Sequence, residues 1–403
     1  MPRTRRALLT ALSSGLAASA GCIGADGGTT PAATTTTSQT TSTQTTTPAK
    51  PGEPRWTLET GTEPAALVVR DGRIYFGSDA VYALDPDGTE RWRYTSDRRV
   101  QSLVVDDRVY ATTGYFASPS GNDFALHALD DGNELWSFAR DGTGMLSAPA
   151  VGSERVFVAT HDDYLQSDGE TLYGLSTGGD RLWSTPVGDP ELTVAGETLF
   201  ASYPQNFVAF DPDGAERWSK SVEGIYVEFV GVRGDLAFAS WRGTLHALGL
   251  SDGAERWSKS VSGATLVGDT LYAVTGDGTV LALDSATGEV QWEQSVPTVA
   301  SPVVADGRVY VGGKTLTALD ADDGAVVWSH EFEREPHDTA ANSAVFAAWV
   351  EGALHVFDAA NGDTRWTFDP TVDTDHPHAR GLALGRGAVY LALGTGTLYA
   401  LVA

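Results

Sequence analysis

The 403-residue chain contains one cysteine, Cys22. A disulfide framework is therefore out of reach, and stability must come from packing. Lysine is nearly absent as well, standing only at 50, 220, 259 and 314. Lys plus Arg number 27 against 53 Asp plus Glu, a formal charge of −26. Phosphate backbones attract basic surfaces, so this balance excludes nucleic acid as a partner. It equally excludes binding of the folded body to an anionic membrane face. No apolar run is long enough for a transmembrane helix; the stretch from Ala7 to about Ala20 is too short and too rich in small residues. No segment keeps a helical period. Gly-rich phosphate loops, zinc-ligand spacings and serine-nucleophile motifs are missing from any place where strand and helix could support them.

What is present divides the chain into three parts. Residues 1–22 combine Thr4-Arg5-Arg6, the apolar run and Ser19-Ala20-Gly21-Cys22. They resemble a twin-arginine lipoprotein signal, with Cys22 as the lipid attachment site and first mature residue. Residues 23–54 hold the run TTTTSQTTSTQTTT. Such a composition buries too little apolar surface to offset its ordering entropy and is expected to form a disordered stalk. Residues 55–403 are the expected folded domain. Scarce Lys with abundant Asp resembles proteins of salt-loving archaea. At 1 M salt the Debye length falls to roughly 3 Å, so self-repulsion is screened while solubility is kept.

The folded part repeats itself. DGAERWSKSV occurs at 213–222 and again at 252–261. Tryptophan recurs at Trp56, Trp92, Trp136, Trp183, Trp218, Trp257, Trp292, Trp328 and Trp366, at spacings of 35 to 47 residues. Before each except Trp56 stands one phrase: YALDPDGTERW, HALDDGNELW, YGLSTGGDRLW, VAFDPDGAERW, HALGLSDGAERW, LALDSATGEVQW, TALDADDGAVVW and HVFDAANGDTRW. A half-phrase, YALV, ends the chain at 399–402 with no Trp after it. The two loose ends complement each other, as in a ring closed by pairing the first strand with the last. Within a unit, WSKSV, ATLVG, TLYAVTG and TVLALD alternate apolar and polar residues between Gly-containing turn signals. Units of this length with four strands are β-propeller blades. In the phrase, Asp accepts backbone N–H groups, Pro presets φ and Gly takes a positive φ. An indole between sheets would fill the gap that opens as blades splay from the axis.

The pattern Ala-x-Asp-x-x-(Thr)-Gly-x-x-x-Trp resembles the repeat of pyrroloquinoline-quinone-like (PQQ-like) β-propellers, fullest at Ala282, Asp284, Thr287, Gly288 and Trp292. Ser176 and Gly249 depart from it at the Asp position. The resemblance implies an all-β fold, a single propeller of four-stranded antiparallel blades. It also implies that Trp, Gly and Ala dock neighbouring blades at each of the nine indoles. Nine Trp units are countable, whereas propellers have typically four to eight blades and this family most often eight, so a ring of eight or nine is expected, with eight favoured.

The family also contains quinone-dependent dehydrogenases that hold PQQ and Ca²⁺ near the ring axis, many stacking the quinone between a Trp and a disulfide of adjacent cysteines. Cys22 cannot supply that disulfide, and the blades carry little insertion to build a lid. No catalytic residue, cofactor or metal ligand is therefore assigned, and a PQQ/Ca-dependent dehydrogenase is kept as an alternative. Trp241 and Trp349 lie off the docking register and read as packed or rim aromatics rather than cofactor floors. Asp373, Asp375, His376 and His378 crowd one loop but lack a distant partner for a metal. His161-Asp162-Asp163 and His337-Asp338 are weaker still, and His127, His246 and His355 read as repeat positions. The leading expectation is a non-catalytic, monomeric cell-surface scaffold, held at the membrane by its lipid alone and binding a protein partner. The insertions at 115–125 and 161–170, in adjacent blades, would flank the binding surface. The propeller lipoprotein of the bacterial outer-membrane β-barrel assembly machine and haloarchaeal PQQ-like lipoproteins resemble this arrangement. A solute or polysaccharide receptor is a third reading.

Overall fold

A computed structural model describes residues 41–44, 49–114, 124–139, 145–161, 170–188, 190–222, 227–296, 301–370 and 378–403. Every regular element in them is a β-strand. The strands form nine antiparallel sheets: blade 1 (66–94), blade 2 (99–139), blade 3 (145–187), blade 4 (191–221), blade 5 (228–260), blade 6 (263–295), blade 7 (303–331), blade 8 (338–368) and blade 9 (379–402 with 54–59). The count of tryptophans was therefore the better guide than the family's usual number: among the described residues the ring has nine blades, not the favoured eight.

Burial follows from each strand's place. The two middle strands of a blade are covered on both faces by neighbouring blades. Val81–Leu84 and Val345–Val350 accordingly read as continuous buried runs. Outer strands are covered less and alternate, as in Glu255–Ser260 and Val290–Ser295. The apolar core is not one body. It divides into nine clusters, one per seam: Phe238 and Leu271 between blades 5 and 6, Val356 and Leu391 between blades 8 and 9, Phe76 and Tyr390 between blades 9 and 1.

Closure uses both chain ends. Pro54–Glu59 pairs with Thr397–Val402, placing Trp56 opposite Ala400 and Glu59 opposite Thr397. Gly52 N–H donates to Val402 O at 2.9 Å. Thr41–Gln44, from the Thr-rich segment, adds a fifth strand outside Pro54–Glu59.

Each docking tryptophan pairs in its own blade with the small residue of the phrase, for example Ala83 with Trp92 and Ala282 with Trp292. Gly174 takes that place opposite Trp183, and Val356 opposite Trp366. The indole then reaches the turn of the next blade. The turn glycines, Gly88 and Gly324 among them, have positive φ (86° and 74°). A Cβ there would lie 2.6 Å from Trp56 and 2.5 Å from Trp292. Glycine is thus required twice, for the backbone conformation and for the ring that lies on it. Seven indoles also donate N–H to a turn carbonyl, at 2.8 to 3.2 Å: Trp56 to Pro86, Trp136 to Thr177, Trp183 to Pro212, Trp218 to Leu250, Trp257 to Ser285, Trp292 to Ala321 and Trp328 to Ala359. The accepting residue always follows the phrase's Asp position.

Candidate functional site

The up-and-down course of each blade gives the ring two unlike faces. On one lie the hairpins between first and second strands and the phrase turns, which are short and tied by docking. On the other open the connections between second and third strands and those between blades. The insertions at 115–125 and 161–170 join strands that end on this second face, in neighbouring blades 2 and 3. Their central residues, Asp162 and Asp163 included, lie outside the described residues, as does the side chain of His161.

The first strand of every blade runs along the axis and packs on its neighbours, and the start of these strands forms the mouth of the central channel. Charge there is uneven. Arg380 of blade 9 pairs with Glu63, and Arg99 of blade 2 donates to Glu63 O at 2.9 Å. Glu191 and Glu228, in adjacent blades 4 and 5, and Asp338, in blade 8 beside Arg380's blade, occupy one repeat position, opposite Ser202, Ser240 and Trp349. Burial, and then the charge of Glu191, raises the Glu228 carboxyl above the usual carboxylate range. Burial pushes Asp338 up to about 6, against the backbone N–H of Thr339, which favours its charged form. His337 is exposed beside it.

The other singled-out residues resolve into packing. His127 Nδ1 lies 2.9 Å from Glu134 and 3.0 Å from Tyr94 Oη, and its Nε2 lies 3.0 Å from Thr113. Tyr94 also donates to Glu134. Burial lowers the His127 pKa despite that carboxylate, so the ring serves as a neutral bridge inside a seam. His246 Nδ1 meets Glu255 at 2.7 Å, and His355 Nδ1 meets Thr367 at 3.4 Å. All three stand at the same repeat position, directly before the docking residue. Trp349 is 2% exposed within the seam between blades 8 and 9. Trp241 is half-buried at a strand end, stacked on His246 at 3.5 Å and 6°.

Against the quinone site expected of the family's dehydrogenases, Trp349 is enclosed and offers no stacking face, and one face of Trp241 is covered by His246. No group of three or more His, Cys, Asp or Glu able to hold a metal occurs among the described residues. Of the loop at 373–378, only His378 is described: it is exposed and its carbonyl accepts Gly394 N–H at 2.9 Å. Cys22 lies outside the described residues.

Sequence reasoning missed Gly52. It stands four residues before Trp56, the spacing of every phrase, and a Cβ on it would lie 3.0 Å from Trp366. The motif PGEPRW is the second half of the phrase that YALV begins. The spacing was the available signal, hidden because the two halves stand at opposite chain ends.

Comparison with known proteins agrees with this architecture. The family model described as outer membrane protein assembly factor BamB matches residues 43–259, 204–348 and 295–403. The BamB of Yersinia pestis is 24% identical over 320 residues, 75% of this chain and 76% of its own length. The crystal structure of BamB from Moraxella catarrhalis aligns with TM-score 0.54 at 14% identity, covering 75% of this chain and 96% of that one. Quinohemoprotein alcohol dehydrogenase from Comamonas testosteroni aligns with TM-score 0.50 at 15% identity, covering 85% of this chain and 75% of that one. Both structural likenesses concern the fold alone. With eight continuous phrases, one split phrase and a family match that runs from residue 43 to the last residue, the chain belongs to the BamB family of PQQ-like β-propellers.

Proposed function

We propose that this protein is a non-catalytic scaffold that binds a protein partner through the open-loop face of its propeller. In this reading it is exported by the twin-arginine route and held outside the cell by a lipid on Cys22, with the Thr-rich segment as spacer. The observation that carries the proposal is the rigid closed ring of a family described as an assembly factor, with its long insertions joining strands that end on one face. Recognition favours loops held on a rigid body. The assembly task belongs to the relatives; what is carried over is capture of protein.

The test removes residues 115–123 and 162–169 together and measures capture of the native partner from solubilised envelopes. Capture should be lost while the melting curve stays close to that of the intact chain. Unchanged capture contradicts the proposal. The anchor is tested separately: Cys22→Ser should move the protein from the membrane fraction to the medium and remove the lipid mass from its first peptide.

A further inference from the structure

Two seams lack the indole hydrogen bond among the described residues, the split seam at Trp366 and the seam between blades 1 and 2, and in the second the cause is a shortened phrase. From the Asp position to Gly the phrase runs three residues in 85–88 and 211–214 and four in 284–288, 320–324 and 358–362. In blade 2 it runs only two, from Asp130 to Gly132. The residue that supplies the acceptor carbonyl elsewhere is here Asp131, turned into the left-handed region with φ 45°. Gly132 still meets Trp92, but at its Cβ and Cγ, the near end of the side chain.

Among the described residues no acceptor is left for the Trp92 indole N–H. Blade 6 shows what is missing: there Ala321 O accepts both Trp292 Nε1, at 2.9 Å, and Tyr272 Oη, at 3.3 Å. Tyr272 and Tyr75 hold the same place, each opposite the phrase alanine. Tyr75 is 8% exposed, and its hydroxyl likewise has no partner among the described residues. Tyr110 and Tyr310, at the same position under full turns, also have unpartnered hydroxyls, but these are sealed in. Tyr75 and Trp92 instead line an open cleft of about 400 Å³ between blades 1 and 2, a volume within the range of ligand pockets. Arg73 lines the same cleft, half-buried and with no ion pair or hydrogen bond among the described residues.

We propose that this cleft is a docking site for a peptide segment of a partner protein, whose main-chain carbonyl replaces the missing turn carbonyl on Trp92 and Tyr75. A neutral side-chain amide oxygen next to that carbonyl would answer Arg73. The occupant is a peptide rather than a free carboxylate, because four aspartates against three arginines line the cleft and leave its rim net negative. Two of those arginines are already engaged: Arg91 with Asp85 at 2.8 Å, and Arg108 with Thr177 O at 2.7 Å. The cleft lies among hairpins and phrase turns, on the face opposite the open loops, so the inference goes beyond the open-loop reading and rests on the scaffold reading only for the identity of the ligand as protein.

The test uses the mature chain with ¹⁵N-labelled indoles and the blocked, uncharged peptide acetyl-Asn-Pro-Asn-amide, which copies the turn at 85–87 without its charges. Trp92→Phe identifies the Trp92 resonance. Millimolar peptide should shift that resonance saturably and leave the other indoles in place. Tyr75→Phe should weaken binding by roughly 2- to 10-fold, the value of one hydrogen bond. Inserting a proline between Asp130 and Asp131 restores the blade 1 turn and should abolish the shift, while the remaining indole signals report an intact fold. No shift of Trp92, an equal shift in the inserted chain, or an equal shift with acetate alone overturns the proposal. Partner capture separates the two readings: capture without the indole shift removes the cleft and keeps the scaffold, whereas the shift without any capture does the reverse.

Discussion

The seam between blades 6 and 7 and the seam between blades 8 and 9 carry out the same task with different means. In the first, one continuous phrase places Gly324 on Trp292, and Ala321 O takes the indole N–H. In the second, Gly52 comes from the other end of the chain, and the buried Trp366 indole N–H has no partner among the described residues. The turn that would have accepted it is where the chain is interrupted; Lys50 O accepts Glu53 N–H instead. Contact between ring and glycine is therefore the constant element of docking, and the hydrogen bond is an addition. At the split seam the strand pairing of Pro54–Glu59 with Thr397–Val402 replaces chain continuity.

This comparison can be broken most severely at the rings. Trp292→Ala and Trp366→Ala should each cost about 3–5 kcal/mol, as large-to-small core changes do, measured by denaturant unfolding. Trp241→Ala, at the half-buried rim, should cost clearly less. Equal losses at all three would remove the docking assignment. The glycines come next. Gly324→Ala should cost about 2–4 kcal/mol, combining left-handed strain with overpacking. Gly52→Ala should cost less, since its added Cβ would stand 3.0 Å rather than 2.5 Å from the indole. Trp→Phe then isolates the polar contribution. Trp292→Phe forfeits a hydrogen bond worth about 1 kcal/mol that Trp366→Phe does not have to lose, so a double comparison should show that difference.

The smallest effect is in pH. Asp338 starts the first strand of blade 8, which packs on the first strand of blade 9. The equivalent place in blade 6 is Gly263, opposite Val274 as Asp338 is opposite Trp349. With its carboxyl pushed up from 3.8 to about 6, the folded state holds this proton more tightly than the unfolded state. The stabilisation is full below pH 4 and lost as the pH rises to about 6. Asp338→Asn should flatten that decline and stabilise the chain at pH 7 by about 1 kcal/mol, reduced by water at the channel mouth. A parallel decline in the variant assigns the pH response to other groups.

Much of the ring was legible because its determinants are local. A phrase that turns on Gly and ends on Trp states its own strand order, and nine indoles state the blade number better than a family habit does. The role of Ala83 and its equivalents was legible only in part: the space they leave is used by the Trp of their own blade, a consequence of cross-strand register. Gly52 escaped because its partner strand is more than three hundred residues away in sequence. The channel mouth was illegible for a related reason. Glu63, Glu191, Glu228, Asp338 and Arg380 share no motif and come to one end of the ring only because nine first strands run side by side.

Closure by the two chain ends is tested most directly by cross-linking across their shared ladder. Glu59 and Thr397 are directly opposed, a separation of about 4.5–5.5 Å between Cα atoms that a disulfide can span. In a Cys22→Ser background, Glu59→Cys with Thr397→Cys should oxidise rapidly to an intramolecular bond, raise the melting temperature and change mobility on a denaturing gel. The offset pair Arg55→Cys with Thr397→Cys should not. Failure of the first pair to close, or equal closure of both, would contradict a ring zipped shut in this register.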